Sequence, residues 1–139
     1  MTTSQAPPRT RGSTLLWSVT LGAGTVAAYG AFLGWDQRKD LDPATAALTG
    51  PYQPWQVIGL AAAAALLAFE AGRRGRPGLA VLMVPVVLTA CFSVDAATEA
   101  DGDGLWPIGA ALVALGSLLG TGAAAGIGAY LGRRHRAPR

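Results

Sequence analysis

The sequence predicts an all-α fold: a four-helix transmembrane bundle, antiparallel, with the N and C termini cytoplasmic. Three observations carry this. Four apolar blocks, at about 13–34, 55–71, 79–97 and 105–131, are each long enough for a crossing that needs roughly 17–25 residues. Charged residues are 14% of the chain, against roughly 25% in ordinary soluble domains, and they cluster in the segments between the blocks or, for Glu70 and Asp95, near a block's end. Basic and acidic residues fall into alternating segments, as opposite faces of a membrane would sort them.

Residues 1–12 hold Pro7, Pro8, Arg9 and Arg11 and read as a polar cytoplasmic tail. The first span, 13–34, contains no charge, with Trp17 near its start and Trp35 just past its end. Its length exceeds the roughly 7–15 residues of a secretory signal core and no A-x-A site follows, so it is expected to be retained. Residues 35–54 form a polar loop broken by Pro43, Gly50, Pro51 and Pro54. The second span, 55–71, is short; Glu70 lies at its end, and Arg73 and Arg74 can snorkel to the interface. A basic turn, 72–78, leads into the third span, 79–97, which tolerates an internal Pro85 if neighbouring helices pack around it. Asp95, Glu99, Asp101 and Asp103 make an acidic loop. The fourth span, 105–131, opens with Pro107 in its first turn, where a missing N–H costs nothing, and the chain closes on a basic tail, 133–139.

Sidedness follows from the arginines. The two termini and the 72–78 turn hold nine of the eleven basic residues; the other two loops hold Arg38 and Lys39 beside seven of the eight acidic residues. The positive-inside rule puts the arginine-rich side in the cytoplasm. Trp17, Trp35, Tyr52, Trp55, Phe69, Phe92, Trp106 and Tyr130 all fall near span ends, as aromatic belts require; Tyr29 and Phe32 are expected deeper. The net charge of +3 does not point to nucleic acid, because the basic residues cap apolar blocks and form no continuous face with stacking aromatics.

Helices in lipid associate through close packing and some hydrogen bonds. The candidate packing residues are Gly30 and Gly34 in the first span and Gly116, Gly120, Gly122 and Gly126 in the fourth, where Gly128 and Gly132 repeat the spacing. They serve either a dimer interface or packing within the bundle. Ser18, Thr20, Thr25, Thr89, Ser117 and Thr121 are expected to add interhelical hydrogen bonds.

Chemistry is sparse. Cys91 lies in an apolar block and reads as a small buried hydrophobe. His135 is the only histidine, so no histidine triad or cluster can be built from one chain. The acidic loop lacks the twelve-residue calcium-loop spacing. No enzymatic activity, cofactor or metal is expected. The candidate functional acid is Asp95, which either points into the bundle toward the fourth span, at an outer vestibule, or is solvated because the third span ends at Val94. Glu70 is expected to pair with Arg73 or Arg74.

The strings GPYQPWQ (50–56) and SVDAATEADGDGLWPIGA (93–110) are similar to small four-span integral membrane proteins of actinobacteria of unassigned function. The resemblance covers the entry to the second span and the acidic loop, and brings no functional residues. It implies a multi-pass protein of a bacterial cytoplasmic membrane. The expected partners are the lipid bilayer and a second copy or a larger membrane protein. The expected role is a non-enzymatic structural or accessory subunit, with a small transporter or channel-like protein as the alternative. Small multidrug exporters resemble the chain in length and span count, but they use a glutamate deep in the first span, and residues 13–34 contain no acid.

Overall fold

Uncharged runs rich in Ala and Leu favour helix intrinsically, and in hydrocarbon a helix is the one local structure that satisfies its own backbone. The computed structural model describes residues 11–34, 52–98 and 104–135. They form four helices: α1 (Arg11–Phe32), α2 (Pro54–Arg73), α3 (Pro77–Thr98) and α4 (Trp106–Arg134). Each is long and apolar enough to cross a membrane. At about 1.5 Å per residue, the 20 residues of the shortest, α2, span roughly the 30 Å of a hydrocarbon core.

Local chemistry sets the helix ends. Pro54 opens α2, and the Gln53 backbone N–H donates to Gln56 Oε1 at 2.6 Å in a reciprocal cap. At its other end Gly75 adopts φ +80°. The Arg76 N–H then reaches Ala71 O at 2.8 Å and the Gly75 N–H reaches Gly72 O at 2.9 Å, a Schellman turn that stops α2 and starts α3 one residue past Arg76. α3 runs unbroken through Pro85, which is buried. α1 stops at Phe32, short of the expected Gly34, and the Leu33 and Gly34 N–H groups fold back onto Tyr29 O. The other helix ends lie one to three residues from the apolar-block limits, because capping residues and arginine-bearing last turns continue the helix past the uncharged stretch.

Each helix buries a narrow stripe at the i, i+3 or i+4 spacing: Leu21, Thr25 and Tyr29, continued by Leu33 just past α1; Ala64, Ala68 and Gly72; Ala80, Val84 and Leu88; Thr121, Ala125 and Gly128. Among the described residues, six of the eleven buried hydrophobic residues are alanines, while twenty-one large apolar side chains, Leu16, Leu66 and Leu119 among them, are exposed. Bulk outside and small residues inside reverse the soluble pattern and suit helices that lipid surrounds.

α4 packs against α2 and α3, α1 packs against the same two, and α1 does not touch α4 among the described residues. The tightest seam joins the C-terminal halves of α2 and α4. A Cβ at Gly72 would fall 2.2 Å from Ala125 O, one at Gly128 2.2 Å from Phe69 O, and one at Gly132 2.5 Å from Arg73 O. Only glycine allows backbones to meet this closely. Elsewhere glycines are sockets for rings: Phe32 of α1 lies over Gly59 of α2, and Phe92 of α3 over Gly109 of α4.

Two expectations about packing are corrected. Within this chain Gly30, Gly116, Gly120, Gly122 and Gly126 meet no neighbour: nothing lies within 4 Å of a Cβ built on any of them. Gly34, beyond the end of α1, approaches only the backbone of Gly30. The seam instead uses Gly128 and Gly132, facing Gly72 at the basic turn. The hydroxyls also behave differently. Ser18, Thr20, Thr25, Ser117 and Thr121 each donate to the carbonyl four residues back in their own helix, at 2.5–3.0 Å. Local carbonyls compete successfully with partners across a helix gap. The buried Thr89 Oγ1 has no partner among the described residues.

Candidate functional site

Asp95 sits in the last turn of α3, which continues to Thr98, so it does not begin a solvated loop. It is half-buried and faces α1, not the fourth span. The Tyr29 hydroxyl donates to Asp95 Oδ2 at 2.7 Å. α1 ends at Phe32, which puts Tyr29 in its last turn, level with the end of α3 and not at mid-span. Tyr29 is 7% exposed and belongs to the core; Tyr52, just before α2, packs against that core. An O–H to carboxylate bond of this length is of the charge-assisted kind when the acid is ionised.

Beneath this pair lies a cavity of about 340 Å³. Its floor is Tyr29 of α1 and Leu33 just past it, with Leu88 and Phe92 of α3. One wall is the Val57–Ala65 stretch of α2, the other the Leu112–Thr121 stretch of α4. The cavity exists because α2 and α4 touch at the glycine seam and diverge toward their N-terminal ends. The short side chains of Ala61, Ala64, Gly116 and Gly120 leave the gap unfilled. It runs along about eight residues of α2, or ~12 Å, close to the depth of one leaflet's hydrocarbon. Tyr29, Tyr52 and Phe92 cluster at the end nearest Asp95. Among the described residues no arginine or lysine lines it.

No family model matches the chain, and no curated protein or solved structure is significantly similar to it.

The opposite end of the bundle is basic. Arg76 donates to the Ser13 carbonyl at 3.1 Å and to the Ser13 hydroxyl, tying the α2–α3 turn to the start of α1. Trp17 carries the guanidinium groups of Arg74 and Arg76 at 5.1 and 5.8 Å from its ring. Glu70 pairs with Arg74 at 2.7 Å and Arg73 at 3.6 Å, as expected, with side chains 41–58% exposed. These contacts tie the start of α1 and the end of α2 to the α2–α3 turn.

Among the described residues no group of three or more His, Cys, Asp or Glu side chains converges on a point that could hold a metal. Cys91 is half-buried in α3, one residue before Phe92. The candidate calcium-type residues Glu99, Asp101 and Asp103 lie outside the described residues. Of the sequence-derived candidates the structure brings Asp95, Gly116 and Gly120 to one region. It adds Tyr29, Tyr52 and Phe92, which sequence reasoning treated only as belt or core aromatics. The available signal was weak: two tyrosines and an acid, each near a span end on the same side.

Proposed function

We propose that the chain is a non-enzymatic, multi-pass protein of a bacterial cytoplasmic membrane, acting by helix packing against a second copy or a larger membrane partner. Its spans alternate in direction, with both termini cytoplasmic. The contact pairs support this arrangement: Ser13 of α1 meets Arg76 before α3, Tyr29 meets Asp95, and Gly24 of α1 faces Leu67 of α2 while Phe32 faces Gly59. All described arginines outside α1 then gather at one end, where cytoplasmic lipid would meet them.

The observation that carries the packing role is the open flank of α4. Only 11% of its most apolar 18-residue window is buried by the rest of the chain. Gly122 and Gly126 lie on that surface one turn apart with nothing near them. They sit about 240° around the axis from Gly116 and Gly120, at 3.6 residues per turn, and so on a different flank. Small residues four apart allow a partner helix to approach closely enough for dispersion to hold it. Purification in mild detergent tests this. The native chain should run as a dimer or with a stoichiometric partner. Gly122→Leu should abolish that association while leaving the chain's own thermal unfolding unchanged. A native chain that is monomeric and alone, or an association indifferent to Gly122→Leu and Gly126→Leu, contradicts the reading.

A further inference from the structure

The two ends of the cavity between α2 and α4 differ in character. Along most of its length it is hydrocarbon: Leu60, Ala64 and Leu88 are typical. At one end three aromatic residues, Tyr29, Tyr52 and Phe92, line it, and the Tyr29 hydroxyl donates at 2.7 Å to the carboxylate of Asp95, which lies behind Tyr29 and does not itself line the cavity. Aromatic faces and a carboxylate share one preference. Both attract a positive charge, the rings through their quadrupole and the acid through its formal charge. Among the described residues no lysine or arginine lines the cavity. The arginines of the described helices α2–α4 lie at the other end of the bundle.

We infer that the cavity binds a lipophilic organic cation, its apolar body between α2 and α4 and its positive centre against Tyr29 and Tyr52, one hydrogen bond away from the Asp95 carboxylate. The volume, about 340 Å³, is at the lower bound of roughly 300–1,000 Å³ typical of small-molecule sites and more than twice the ~150 Å³ void that accepts benzene. It is too small for a two-chain lipid to enter whole. Entry is lateral: Val57 at the α2 rim and Leu112 at the α4 rim are 49% and 66% exposed, so the opening faces the surrounding hydrocarbon. A lipophilic cation concentrates there and can slide in without crossing water. The charge complementarity at Asp95 separates this occupant from a neutral apolar molecule, which would use the hydrocarbon walls alone.

The test uses the full chain in nanodiscs of zwitterionic lipid, with radiolabelled tetraphenylphosphonium as probe and neutral triphenylphosphine oxide as control. The expected result is saturable binding of tetraphenylphosphonium above empty nanodiscs. Asp95→Asn should weaken it by about tenfold or more, the scale of one desolvated cation contact. Asparagine retains an oxygen that accepts from Tyr29, so this variant keeps the local hydrogen bond. Ala61→Phe, at the exposed rim of α2, should remove binding of the probe with Asp95 intact, and it supplies a second reading should Asp95→Asn fold poorly. Absence of saturable binding overturns the inference. So does binding that neither variant changes. Equal binding of the neutral control, insensitive to Asp95→Asn, also overturns it, because the site would then be a hydrocarbon pocket without charge selectivity.

Discussion

Gly128→Ala asks whether the α2–α4 seam holds the bundle. A methyl group at residue 128 would lie 2.2 Å from Phe69 O, 3.0 Å from its carbonyl carbon and 3.1 Å from the Arg73 nitrogen. All three are backbone atoms of α2, so no side chain can turn aside. An ordinary contact begins near 3.4 Å, so two rigid helices must part by roughly 1 Å along this line. Parting them sacrifices the close approach that also brings Gly72 to Ala125 and Gly132 to Arg73. Overpacking of this kind costs about 1–3 kcal/mol. Gly116→Ala is the internal control: it makes the same chemical change in the same helix with nothing within 4 Å. Its expected effect is a change within about 0.5 kcal/mol, or a gain of up to about 1 kcal/mol from helix propensity. Reversible unfolding in mixed micelles, followed by circular dichroism as denaturing detergent is added, measures both. Gly72→Ala combined with Gly128→Ala should cost less than the two singles added, because one separation relieves both clashes. If Gly128→Ala proved as stable as Gly116→Ala, the seam would not be the contact that holds α2 to α4.

Other perturbations follow from the same contacts. Tyr29→Phe removes the donor to Asp95 and should cost about 1 kcal/mol; in a double-mutant cycle with Asp95→Ala the two losses should be strongly non-additive, measured by the same unfolding assay. Arg76→Lys should free the start of α1, because one ammonium cannot reproduce both guanidinium bonds to Ser13 and the stacking on Trp17; altered Trp17 fluorescence in a variant lacking the other tryptophans reports it. Glu70→Gln should change stability by less than about 1 kcal/mol at any salt concentration, since its pairs with Arg73 and Arg74 are 41–58% exposed and screened.

The four helices were legible in the sequence because the bilayer's demand is simple: charge must leave a stretch of about 20 residues, and here it did. The glycine seam was legible only in part. Spacing identifies which residues are small, but Gly116, Gly120, Gly122 and Gly126 share that spacing with Gly128 and Gly132, and which pair turns inward depends on where the helices cross. Gly72, the partner across the seam, stood in what read as a basic turn. The hydroxyls misled for a related reason: a threonine's own helix always offers a carbonyl at i−4, whereas a neighbouring helix offers one only by chance of geometry. Asp95 was singled out as an acid near depth, yet its partner was not recognised. Tyr29 lies 66 positions away and meets Asp95 only because α1 ends early and sits beside α3. The cavity had no sequence signature, since it is the space left where two helices held at one end diverge.

Four lipid-embedded helices of the proposed sidedness should hold their arginine-rich ends together on the cytoplasmic face. Cysteine accessibility in intact cells tests this most directly, with Cys91→Ser removing the native thiol. Single cysteines introduced by Thr45→Cys and Gly102→Cys should react with a membrane-impermeant maleimide from outside. One introduced by His135→Cys should react only after the cells are opened. Labelling of His135→Cys in intact cells together with protection of the other two, or recovery of the chain from the soluble fraction without detergent, would contradict it.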